Sequence, residues 1–121
     1  MSEPFTGSIV GSWLFIRSTK SDFETRIIHH FTAGGKSYWE MDFDGKRILT
    51  STKYRFAGNT LTVIFSSGAE SDFALTAEDD GSVMVPNPNG ILWWMVRLSA
   101  REPYSKAFVD EHGELQKLNP A

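Results

Sequence analysis

Apolar and polar residues alternate with a period of two along most of the chain, in runs broken by glycine, asparagine, aspartate and proline. That period places successive side chains on opposite faces of a strand, whereas a helix would repeat every 3.6 residues. Turn signals recur at Gly34-Gly35, Asp44-Gly45, Gly58-Asn59, Gly68, Asp79-Asp80-Gly81 and Asn87-Pro88-Asn89-Gly90. The runs between them predict eight strands, at about 9–17, 22–33, 36–43, 46–57, 60–67, 71–78, 82–86 and 91–99. Many short strands joined by consecutive tight turns favour an up-and-down meander that closes on itself. The expected fold is all-β, an eight-stranded up-and-down antiparallel β-barrel.

Asp44-Gly45 sets the register. A two-residue type I′ turn needs positive φ at both central positions, which Asp-Gly supplies. It pairs Phe43 with Lys46, Asp42 with Arg47, Met41 with Ile48, Trp39 with Thr50 and Ser37 with Thr52. A three-residue loop at Ala33-Gly34-Gly35 pairs Ile27 with Met41 and His29 with Trp39, and sets Arg26 opposite Asp42. A type II′ turn at Gly58-Asn59 pairs Phe56 with Leu61, Tyr54 with Val63 and Thr52 with Phe65. The three turns agree on one inner face, running from Phe23, Thr25, Ile27, His29 and Phe31 through Trp39 and Tyr54 to Leu61, Val63 and Phe65, with Phe73 and Leu75 continuing it.

Residues 91–98 break the alternation, being apolar on both faces, so their outer side needs a cover. Pro103 suits a first helical position, Gly113 an end, and Tyr104, Ala107, Phe108 and Glu111 follow i, i+3, i+4, i+7. A short helix at about 103–112, packed outside the barrel, is expected. The competing cover is a homodimer or a protein partner seated on Leu92 and Trp94.

Composition narrows the class. The chain has 121 residues, 40% hydrophobic and 22% charged, which suits a single domain, with the barrel at about 7–99 and the helix and tail at about 102–121. A net charge of −3 lacks the basic footprint of a nucleic-acid binder. Cysteine is absent, the first residues form no signal-like segment, and no apolar run reaches the length of a membrane span, so a cytoplasmic protein with no membrane partner is expected.

Gly11-Ser12-Trp13 on the first strand, a phenylalanine before a glycine turn, Gly58-Asn59 followed by Leu61, and Arg97 near the end of the last strand come in an order that resembles the lipocalin-like (calycin) barrels. The chain is most similar to the short bacterial lipocalin-like domains. The resemblance, over about residues 7–118, implies that Trp13 packs inside one end of the barrel and that Arg97 crosses over it. It also implies a trailing helix outside the barrel.

Candidate chemistry comes from the inner face. An eight-stranded barrel is filled by side chains or holds one small ligand. The expected ligand-binding set is His29, Trp39, Thr50, Thr52, Tyr54, Phe65, Trp93 and Met95: aromatic walls with a few convergent polar groups. His29 with Tyr54 is the candidate acid–base pair, without an accompanying Ser-His-Asp pattern. His29-His30 cannot ligate one metal ion from opposite faces, so neither a metal site nor a cofactor is expected. Glu40 and Asp42 fall on the outer face, where they are expected to form a solvated ion-pair cluster with Arg26 and Arg47. The function expected is binding of a small apolar or amphipathic molecule. The alternatives are an inhibitor-like or immunity-type protein-binding module, and a small isomerase or cyclase.

Overall fold

The computed structural model describes residues 3–17, 26–86 and 92–117. Within them the strands are β1 (Glu3–Pro4), β2 (Gly11–Arg17), β3 (Ile27–Phe31), β4 (Lys36–Phe43), β5 (Lys46–Ala57), β6 (Thr60–Ile64), β7 (Glu70–Ala74), β8 (Thr76–Ala77), β9 (Val83–Pro86), β10 (Leu92–Arg97), β11 (Ala107–Val109) and β12 (Leu115–Lys117). The first ten form one antiparallel sheet in the order β1-β8-β9-β10-β2-β3-β4-β5-β6-β7. The sheet curls into a nearly closed barrel, an architecture compatible with a calycin-like fold.

The register expected from the turns is present within the ladders, whereas the expected pairs Ile27 with Met41, Arg26 with Asp42 and Thr52 with Phe65 fall beyond the ends of the paired segments. Asp44 and Gly45 both have positive φ, 50° and 75°, and all five pairs read outward from them form. His29 lies opposite Trp39, Phe56 opposite Leu61 and Tyr54 opposite Val63. Phe23 and Thr25 fall outside the described residues.

The sheet has ten strands among the described residues and not eight. One extra strand is the two-residue β1, which pairs with β8. The other arises because the run expected at 71–78 bends at Leu75 into β7 and β8. Leu75 donates its N–H to the Asn59 carbonyl at 2.8 Å and accepts the Phe5 N–H at 3.0 Å. The chain thereby passes from its pairing with β6 to its pairing with β9 and β1, and so bridges the gap between the ends of the sheet.

No helix occurs among the described residues, and the segment expected to be helical is a hairpin, β11 with β12. Ser105, Ala107 and Val109 are buried while Lys106, Phe108 and Asp110 are less so, a period of two that outcompetes the helical spacing of Tyr104, Ala107, Phe108 and Glu111. The turn is built by Asp110, whose Oδ1 accepts the N–H groups of His112 at 2.8 Å and Glu114 at 3.0 Å, and by Gly113 at φ 77°. A Cβ on Gly113 would stand 2.7 Å from the Ala33 Cβ, and its carbonyl accepts the Ala33 N–H at 2.9 Å. Gly113→Ala should therefore cost more than about 1 kcal/mol in a urea titration, from strained φ and steric contact together. An unchanged midpoint would refute this seating of the hairpin.

The core lies inside the barrel. One end is closed by Phe5, Ile9 and Trp13, with Phe5 edge-on to Trp13 at 5.9 Å and tilted on Phe56 at 5.9 Å. At the end bearing Asp44-Gly45, Phe43, Ile48 and Phe65 keep inward parity yet are exposed by 65%, 36% and 39%. β6 stops at Ile64, because the Phe65 N–H turns back to Ala69, so the first half of β5 extends past its neighbour. Among the described residues no helix is long and apolar enough to cross a membrane.

Candidate functional site

A cavity of about 170 Å³ lies inside the barrel, toward the end away from Trp13. Phe15 from β2, Trp39 from β4, Phe73 from β7 and Trp93 from β10 supply aromatic walls, with His29 from β3. Leu61, Val63, Val85 and Pro86 complete the lining. Phe15 stands 5.4 Å from the Trp39 ring and 6.2 Å from that of Trp93, in tilted and edge-on arrangements that aromatic rings favour.

His29 is fully buried and sandwiched. Its ring centroid lies 4.0 Å from Phe31 and 4.1 Å from Trp39, at interplanar angles of 34° and 29°. Among the described residues neither ring nitrogen has a hydrogen-bond partner, and neither does Trp39 Nε1. Burial, and secondarily the neighbouring charge of His30, hold the His29 pKa well below the usual imidazole value, so the ring is neutral at physiological pH.

The other expected binding residues divide by height along the barrel. Met95 is fully buried in the core. Thr50 is exposed on the overhanging part of β5. The hydroxyls of Thr52 and Ser37 bond each other at 2.7 Å, and Thr52 and Phe65 border a separate surface groove with Tyr38 and Lys53. Tyr54 donates its hydroxyl to the Thr32 carbonyl and stands edge-on to Phe31 at 5.0 Å. Phe31 contacts both His29 and Tyr54, and no hydrogen bond joins that candidate acid–base pair in the described structure. Phe15, Leu61, Val63, Phe73, Val85 and Pro86 line the cavity without having been singled out. Inward parity already marked Leu61, Val63 and Phe73, and Phe15 shares the parity of Trp13.

At the closed end the Arg97 guanidinium carbon lies 4.1 Å from the Trp13 ring centroid. Arg97 also donates to the carbonyls of Val10 at 2.8 Å and Ser8 at 2.5 Å, while Trp13 Nε1 donates to Ile9 at 2.9 Å. Gly11 is required beside them. Its φ is 141°, and a Cβ there would come within 2.7 Å of Arg97 Nη1.

The outer wall departs from expectation. Glu40, expected in a solvated cluster, is fully buried, as are Ser12 and His30, because the β11–β12 hairpin covers them. Glu40 accepts from Arg47 Nε at 2.7 Å, His30 Nε2 at 2.9 Å, Ser105 Oγ at 2.7 Å and the Lys106 N–H at 2.7 Å. Arg47 reaches Asp42 more loosely, at 3.4 Å, and both Arg26 and Arg47 lie over the Tyr104 ring. The Val109 N–H donates to Ser12 Oγ at 3.0 Å, Ser12 Oγ and His30 Nδ1 share a hydrogen bond at 2.7 Å, and the other imidazole nitrogen donates to Glu40. Burial alone would raise the Glu40 pKa, but the four hydrogen bonds outweigh it and lower the value to about 2. Ser12, His30 and Glu40 have the connectivity of a hydrolytic triad, yet Ser12 is 1% exposed and its oxygen is occupied by the hairpin backbone. The network clamps the C-terminal hairpin to the barrel.

Among the described residues no group of three or more His, Cys, Asp or Glu is placed to hold a metal ion. On the outer face of β10, Trp94 is half-buried opposite Ile16 and Met84, and Val96 is 37% exposed opposite Leu14. The side chain of Leu92 lies outside the described set. No protein-family model matches the chain, and neither a curated protein nor a solved structure shows significant similarity to it.

Proposed function

We propose that this protein is a lipocalin-like binding protein that takes up a small, partly apolar molecule inside its barrel. The observation that carries the reading is the aromatic cavity of about 170 Å³, bordered by His29 and Trp39, whose buried ring nitrogens lack partners among the described residues. Buried polar groups are nearly always satisfied, so three unpartnered atoms on two residues of the cavity lining favour a site completed by a guest or by water. The Trp13–Arg97 closure supports the lipocalin-like assignment, since it occupies the end opposite the cavity and leaves the other end to admit a guest.

The test uses the intrinsic tryptophans. A panel of small apolar compounds should include members that quench fluorescence saturably and raise the melting temperature, because a ligand at about 100 times its dissociation constant adds about 2.7 kcal/mol. Leu61→Trp, which fills the cavity from its β6 wall, should abolish the thermal shift while the circular dichroism stays that of a folded β-protein. A panel that gives neither quenching nor thermal shift would contradict the reading.

A further inference from the structure

Granted that the barrel binds a small molecule, the size, walls and polar edge of its cavity restrict the guest further. A dry, apolar cavity of about 150 Å³ takes up benzene, whereas drug-sized ligands occupy pockets of about 300–1,000 Å³. The 170 Å³ here admits one ring with a short substituent. The walls suit a planar guest, since Phe15, Trp39, Phe73 and Trp93 present ring faces and edges to the same space.

Charge is excluded from the guest by the surroundings. No charged side chain lines the cavity among the described residues. Arg97 is engaged at the closed end and Arg47 on the outer wall. A carboxylate or an ammonium ion would lose its hydration with no counter-charge in return. Aromatic walls also suit a quaternary ammonium ion, but such an ion offers nothing to the orphaned nitrogens.

Those nitrogens decide the polar group. Both faces of His29 are packed, against Phe31 and Trp39, and its ring nitrogens are buried within the cavity lining, so a guest reaches them only as the lining side chains shift. A neutral imidazole offers one acceptor nitrogen and one N–H, and the Trp39 indole stacked on it adds a second unpartnered N–H. A hydroxyl donates and accepts at once, while a carbonyl or ether could only accept. We propose that the cavity is a site for a neutral, single-ring phenol, its ring held by Phe15, Trp39 and Trp93 and its hydroxyl at the His29 and Trp39 nitrogens.

Five probes at pH 7 test this on the full chain, read by melting temperature and tryptophan quenching: 4-ethylphenol, ethylbenzene, benzoate, octanoate and tetramethylammonium. Saturable binding of 4-ethylphenol is expected, with ethylbenzene about three- to tenfold weaker for want of one hydrogen bond, and no response to the three ions. His29→Phe should erase the preference for 4-ethylphenol while ethylbenzene still binds. If that variant does not fold, Trp39→Phe carries the same readout through the melting temperature. Octanoate, benzoate or tetramethylammonium binding as tightly as 4-ethylphenol overturns the phenol assignment and leaves the small-molecule binding function standing. So does equal affinity for ethylbenzene in the native chain, or an unchanged preference in the variant. Binding of none of the five overturns both.

Discussion

Replacing Glu40 with glutamine is expected to lower the unfolding free energy by at least about 3 kcal/mol, the usual result of removing one partner from a buried ion pair. Glutamine keeps the volume, but its amide nitrogen would face donors that now converge on a carboxylate: His30, Arg47, Ser105 and the Lys106 backbone. It also leaves Arg47, 8% exposed, with the longer contact to Asp42 as its remaining ion pair among the described residues. Asp42→Asn is the control. Its side chain is 45% exposed and 3.4 Å from Arg47, so less than about 1 kcal/mol is at stake. Urea titration at pH 7 separates the two, and equal effects would refute the clamp.

The same carboxylate sets an acid limb. Its pKa falls from 4.5 to about 2 on folding, so the folded state binds fewer protons across that interval and stability rises with pH there. The contribution, about 3 kcal/mol from the size of the shift, is complete above about pH 4.5 and is lost as pH falls toward 2. Glu40→Gln should flatten this limb. A wild-type profile with no slope between pH 4.5 and about 2.5 would contradict the ionised, hydrogen-bonded carboxylate.

Trp13→Ala should cost about 3–5 kcal/mol, as deletion of a fully buried aromatic side chain does. Trp13 is 1% exposed, donates to Ile9, supports Phe5 and forms the platform on which Arg97 lies. The loss is expected to be the same at pH 5 and pH 8, since no group that titrates in that range touches the indole in the contacts described. Differential scanning calorimetry provides the check, and a cost below about 1 kcal/mol would mean that the barrel does not depend on this closure.

How legible each feature is in the sequence depends on the distance over which it is encoded. The β4–β5 hairpin needed only Asp44-Gly45, and the pairing of His29 with Trp39 only the three-residue loop before Lys36, so both were legible. Alternation reports which face a side chain takes, but not its height along the barrel. Thr50 and Phe65 therefore carried inward parity yet sit past the end of β6, while Leu61, Val63 and Phe73 reach the cavity from the same parity. Glu40 shows the complementary limit. Its outward parity was correct, but its cover is Ser105, 65 residues away in sequence. That cover depended on reading the tail as a hairpin, for which Asp110 and Gly113 were the available signals.

The proposed function turns on whether a guest enters the barrel, and indole N–H resonances in a ¹⁵N correlation spectrum report this directly. Trp39 Nε1–H has no acceptor among the described residues, Trp13 Nε1–H is tied to Ile9, and Trp94 faces outward from β10. Titration with 4-ethylphenol or another bound panel member should shift the Trp39 and Trp93 signals saturably and leave those of Trp13 and Trp94 in place. A saturable shift confined to Trp94, or no shift at any of the four, would contradict the interior site.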